Sequence, residues 1–87
     1  MHLDGDLIIY TAESLRYAGI LTSISGNLTV RIACAFPKLE EVGGFMAIKS
    51  RWVVMPELTS VGGRIDAHGL HGLNLPKLTK CAGIVIL

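Results

Sequence analysis

His68 and His71 stand three residues apart, with His2 far off in the chain and two cysteines, Cys34 and Cys81, elsewhere. Histidine and cysteine are the common zinc ligands, so a metal centre is the first chemistry to weigh. The pair falls inside GGRIDAHGLHGLN, a glycine-rich corner, and no cysteine or acidic pair is spaced to complete a tetrahedral shell. Both histidines read as solvent-facing loop residues, and neither a metal nor another cofactor is expected. Two cysteines are too few for a disulfide scaffold, and both sit among apolar positions as small reduced core residues do. The carboxylates Asp4, Asp6, Glu40, Glu41, Glu57 and Asp66 are scattered over outward or corner positions, without a pocket that would pair two of them for acid–base work. A nucleophile elbow, a phosphate loop and a dinucleotide fingerprint are all absent, and an enzyme is not expected.

Recognition chemistry is better represented. Tyr10, Arg31, Lys49 and His68 recur at one position of a repeat, with Arg51 and Trp52 beside them. Arg, Tyr and Trp are the residue types enriched at binding hot spots, against which stands the plainer reading of a solvated edge with Trp52 partly covering the core. If successive repeats lie about 4.8 Å apart, this column forms a ridge roughly 15 Å long. Only eight Lys and Arg stand against seven Asp and Glu, a net charge of +1. That balance argues against a nucleic-acid backbone as the partner and against a polyanion mimic.

The elements that must position these residues come from an internal repeat. PKLEEVGGFMAIK from Pro37, PELTSVGGRIDAH from Pro56 and PKLTKCAGIVIL from Pro76 align directly, with prolines 19 and 20 apart. LTSISGNLTVR from Leu21 is a copy without the proline, and HLDGDLIIY matches the second half of the unit. Taking Gly5, Gly26, Gly44, Gly63 and Gly83 as anchors gives spacings of 21, 18, 19 and 20. Two residues before the anchor stand Leu3, Ile24, Val42, Val61 and Cys81; two after it Leu7, Leu28, Met46, Ile65 and Val85; four after it Ile9, Val30, Ile48, Ala67 and Leu87. All fifteen are apolar, and the residues between them are mixed. Period-two alternation means short strands with one face inside, and repetition in one chain direction means parallel stacking. A further column, Cys34, Val53 and Leu73 with Phe36, Met55 and Leu75 two residues on, closes the third side. TAESLRYAG is the one stretch with a helical pattern. The expected fold is all-β, a right-handed parallel β-solenoid of about five coils with 18–21 residues per coil, forming a single domain over residues 1–87.

The unit Phe36-Pro37-Lys38-Leu39-Glu40-Glu41-Val42-Gly43-Gly44-Phe45-Met46-Ala47-Ile48, repeated as Pro-x-Leu-Thr-x-Val-Gly-Gly-x-Ile-x-Ala from Pro56, resembles the coils of receptor L domains and of small bacterial and phage leucine-rich-like repeat proteins. The resemblance covers essentially the whole chain and departs from the leucine-rich consensus in lacking an asparagine ladder. It implies the right-handed solenoid just described and a scaffold that binds macromolecules while carrying no chemistry of its own.

An apolar share of 51% with 17% charged residues excludes disorder. No apolar run approaches the length of a membrane span, and MHLDGD lacks the features of a signal peptide, so the chain reads as intracellular, in the cytoplasm of a bacterial host if phage-encoded. The expected function is a small non-catalytic protein-binding module that inhibits by occluding the surface of a partner complex, by analogy with phage or mobile-element anti-defence proteins of the anti-CRISPR type. Its partner-binding residues are then Tyr10, Arg31, Lys49, Arg51, Trp52 and His68. A structural β-solenoid part of a phage particle or larger repeat protein is the alternative, and a nucleic-acid-backbone binder the third. Cys81 to Leu87 carries no charged side chain, which suggests a homodimer through the last coil with Ile84, Val85, Ile86 and Leu87 at its interface and Ile84 and Ile86 pointing outward.

Overall fold

The computed structural model describes residues 1–69 and 72–86. His71, weighed above as a metal ligand, and Leu87, expected at a dimer interface, lie outside the described residues. In chain order the elements are β1 (His2–Leu3), β2 (Leu7–Ile9), α1 (Leu15–Ala18), β3 (Ser23–Ile24), β4 (Leu28–Val30), β5 (Cys34–Ala35), β6 (Glu41–Val42), β7 (Met46–Ile48), β8 (Trp52–Val54), β9 (Ser60–Val61), β10 (Arg64–Ala67), β11 (Gly72–Asn74) and β12 (Gly83–Ile86). They stack as three sheets, ordered β1-β3-β6-β9, β2-β4-β7-β10-β12 and β5-β8-β11. Every pairing is parallel. The second, third and fourth coils each contribute one short strand to each side, and the chain is a β-solenoid of about four turns followed by the partial coil that ends in β12.

The alternation of the sequence becomes burial directly. Leu28, Met46 and Ile65 pair across β4, β7 and β10, and all three are fully buried. Val30, Ile48 and Ala67 form the next column on this second side, Ile24, Val42 and Val61 the column on the first, and Cys34 and Val53 that on the third. Phe36, Leu39, Met55 and Leu58 fill the corner between the third side and the start of the next coil. No coil could bury these side chains alone; each column is covered by the coils before and after it.

The glycine corner sets how closely the coils approach. The amide of Gly43 donates to the carbonyl of Ile24 at 2.7 Å, and that of Gly62 to Val42 at 2.8 Å. A Cβ on Gly62 would overlap the carbonyl oxygen of Gly43, and one on Gly43 would overlap that of Ser25. Backbone lies directly on backbone here, which only glycine permits. In place of an asparagine ladder, two side-chain rungs, one from an aspartate and one from an asparagine, run beside this corner. The backbone amide of Asn27 donates to Asp6 Oδ1 at 2.8 Å, and that of Phe45 to Asn27 Oδ1 at 2.9 Å. Phe45 has no side-chain acceptor for the next rung, and the ladder stops.

The two ends of the stack differ. In the first coil the third side is the single turn α1, which packs against β5, buries Ala18 and sets Leu15 against the core. Ser14 organises its start, its Oγ accepting from the amides of Tyr10 at 3.0 Å and Thr11 at 2.9 Å. Ile9, although in an end coil, is fully buried. At the other end Ile84 is 47% and Ile86 61% exposed.

The register of that last strand corrects the expectation. Gly83 pairs with Arg64, Ile84 with Ile65, Val85 with Asp66 and Ile86 with Ala67. Ser60 meanwhile bridges to Lys80, so the offset of 20 on the first side falls to 19 on the second, and the corner has lost one residue. Ala82, not Gly83, holds the anchor place, its amide donating to Gly63 as Gly63 donates to Gly44. Ile84 and Ile86 therefore share the core-facing columns of Ile65 and Ala67 instead of pointing outward, and they are exposed because no coil covers them in this structure.

Ile65→Ala should lower unfolding free energy by about 2–4 kcal/mol, because coils on both sides hold the cavity open. Gly62→Ala should cost about 1–3 kcal/mol by forcing two backbones apart. Denaturant melts check both, and a parent-like midpoint for Ile65→Ala would contradict the column assignment.

Candidate interaction surface

Where the second side of the solenoid turns into the third, each coil presents one outward residue just after its core column. The backbone fixes this corner: the amides of Arg31, Lys49 and His68 donate to the carbonyls of Ile9, Val30 and Ile48 at 2.8, 2.7 and 2.8 Å. Because these bonds repeat rung by rung, Tyr10, Arg31, Lys49 and His68 stand in a column, and all four are exposed. Tyr10, Arg31 and Lys49 line one open depression together with Ile8 and Thr29. Ile8 and Thr29 are partners across β2 and β4 on the outward face of the sheet, and Ile8 is 50% exposed. An apolar floor thus lies beside a phenol and two cations.

Arg51, Trp52 and His68 do not line that depression. Arg51 and Trp52 lie past the corner, where Ser50, a buried polar residue, donates its hydroxyl to the carbonyl of Trp52 at 3.0 Å. This bond ties the turn between β7 and β8 down, so that Val53 faces the core and Trp52 faces out, 45% exposed. Trp52 is therefore not a cover over the core. His68 is the last described member of the column and precedes Gly69, whose φ of +65° lies in the left-handed region.

Arg64 bonds Asp66 at 2.9 Å, Lys77 bonds Glu57 at 2.9 Å and His2 meets Asp4 at 2.9 Å. Among the described residues, Arg31, Lys49 and Arg51 enter no ion pair. Arg16, Lys38 and Lys80 enter none either, but Arg31 and Lys49 are the two that share a depression with Tyr10.

The acidic residues have local duties or stand apart. Asp6 accepts from the amide of Asn27, and Asp66 and Glu57 hold cations. Among the described residues no three of His, Cys, Asp and Glu come together in a metal-sized cluster. A second shallow depression, lined by Glu41, Ser60, Lys80 and the Val42–Gly43 and Val61–Gly62 backbones, follows the glycine corner and carries one acid and one base. Both cysteines are free; Cys34 is buried and Cys81 half-buried. Burial pushes the Cys34 thiol above its ordinary pKa by disfavouring the thiolate.

Sequence reasoning identified the exposed column but missed Ile8, Thr29 and Ser50. Ile8 and Thr29 carried a usable signal, since they occupy the outward place two residues before Tyr10 and Arg31. Ser50 carried none, because its burial depends on the turn geometry. No protein-family profile, curated protein or solved structure matches the chain. No helix among the described residues is long and apolar enough to cross a membrane.

The buried thiol has a pH signature. A raised folded-state pKa means that the contribution of Cys34 to stability is complete below the thiol's unfolded pKa of about 8.5 and is lost as pH rises beyond it. Urea midpoints should therefore fall between about pH 8 and 10, and Cys34→Ala should flatten that decline. Equal slopes for parent and variant would place the thiol in solvent.

Proposed function

We propose that this chain is a non-catalytic protein-binding module that acts by covering a surface of its partner. The observation that carries the reading is the convergence of Tyr10, Arg31 and Lys49 on one depression with exposed Ile8, where neither cation enters an ion pair among the described residues. Protein interfaces combine an apolar centre, aromatic and arginine anchors and a charged rim, and this corner supplies each of them within four coils. Trp52 and Arg51 extend the surface around the corner, and His68 extends it along the stack. The scaffold is suited to the task, because outward residues add nothing to the core and vary freely while the columns keep their register.

Self-association through β12 belongs to the same proposal. The outer edge of β12 is unpaired in this structure, and Ile84, Val85 and Ile86 are exposed. Two such strands paired antiparallel about a twofold axis close on each other, and they bring Ile84 and Ile86, the uncovered ends of two core columns, under shared cover. Sedimentation should give a mass near twice 9.3 kDa, and Ile84→Lys with Ile86→Lys should give the monomer. A parent chain that stays monomeric at high micromolar concentration would remove this part of the proposal.

The binding surface is tested by Lys49→Glu with Arg51→Glu. Neither cation has an intramolecular ion-pair partner among the described residues, so the melting temperature should hold, while capture of the partner from a bacterial lysate is lost. Equal capture by parent and double variant would return this corner to ordinary solvated surface.

A further inference from the structure

Taking the corner as a protein-binding surface, we infer that it selects a segment in which an acidic side chain neighbours an aliphatic one: the carboxylate sits between Arg31 and Lys49, and the aliphatic group lies on Ile8 and Tyr10. The inference rests on the reading above and adds the partner's chemistry to it.

Three observations carry it. Arg31 and Lys49 occupy adjacent rungs, because Val30 and Ile48, the residues before them, pair across β4 and β7. Their backbones are thus about 4.8 Å apart, close enough for both side chains to reach one oxyanion. Both cations lack an internal ion-pair partner among the described residues, so a ligand carboxylate displaces no existing salt bridge. The same depression is floored by Ile8 rather than by a further base, and the phenol of Tyr10 adds a second apolar surface with a polar tip.

That floor favours protein over nucleic acid. A strand of nucleic acid needs cations that track a run of phosphates, with aromatic rings between them. Here only two cations line the depression. The outward column that begins with Ile8 and Thr29 continues through Ala47 to Asp66, whose carboxylate stands where a phosphate backbone running along the stack would pass.

The probe is a capped heptapeptide, Gly-Ser-Leu-Glu-Glu-Ser-Gly, with its Gln-Gln counterpart and an eight-nucleotide oligothymidine as comparisons. Each is titrated into isotope-labelled full-length chain and followed by backbone amide shifts. The Glu peptide should move the amides of Ile8, Tyr10, Thr29, Arg31 and Lys49, the Gln peptide should bind at least about tenfold more weakly, and Arg31→Glu with Lys49→Glu should reverse the preference towards a Lys-Lys peptide. A circular dichroism melt confirms that the double variant is folded. Equal binding of the Glu and Gln peptides, or no shift with the Glu peptide, overturns the acidic partner; loss of lysate capture in Lys49→Glu with Arg51→Glu would still leave the binding surface standing. Oligothymidine moving the same amides at lower concentration than the Glu peptide overturns both readings. Glu-peptide shifts confined to residues away from this corner overturn the placement.

Discussion

Everything in this molecule depends on coils stacking in register with their backbones in contact at the glycine corner. Gly62 lies against the carbonyl of Gly43, and Gly43 against that of Ser25, at separations that no Cβ tolerates. This contact holds the second side at strand spacing, so that Leu28, Met46 and Ile65 cover one another in turn. A chain of 87 residues has few ways to enclose a core. Short strands that borrow their cover from neighbouring coils are one, and the absence of any long-range layer other than the next coil makes the stack close to one-dimensional. The interaction surface inherits its geometry from the same stacking, since Tyr10, Arg31 and Lys49 are brought together only because Ile9, Val30 and Ile48 pair.

The first four coils were legible in the amino-acid sequence because two signals agreed. Glycine marked the corner, and strict alternation beyond it separated core from surface, as in Leu28-Thr29-Val30 and Met46-Ala47-Ile48. The last coil was misread by one residue where both signals failed. Ala82-Gly83-Ile84-Val85-Ile86 is apolar throughout, so either set of alternate residues could face the core, and a pattern of this kind does not determine register. The glycine that served as anchor elsewhere sits one place late, because the corner is a residue shorter. Pairing with Arg64 to Ala67 decides the matter through backbone hydrogen bonds, which leave no trace in side-chain hydropathy.

The candidate surface was legible in the same uneven way. Its exposed column followed from the repeat, and the types Tyr, Arg and Lys drew attention to it. The apolar floor did not follow, because Ile8 reads as an outward residue of an end coil until Thr29 is laid beside it. The ladder from Asp6 through Asn27 to Phe45 was invisible for a related reason: two polar residues 21 apart acquire meaning only when the stacking places the backbone amide of one over the side-chain carboxylate of the other. Trp52 shows the opposite case. A lone tryptophan is readily assigned to the edge of a core, yet the bond from Ser50 fixes the turn and sends Val53 inward in its place.

Register is thus the quantity on which both fold and surface turn, and interstrand proton contacts measured by NMR on the labelled chain test it most directly. The account predicts an unbroken parallel ladder in which Ile9 contacts Val30, Val30 contacts Ile48, and Ile84 contacts Ile65. A displacement of one residue between β2, β4 and β7 would contradict it, because Tyr10, Arg31 and Lys49 would then exchange places with core residues and the depression would not exist.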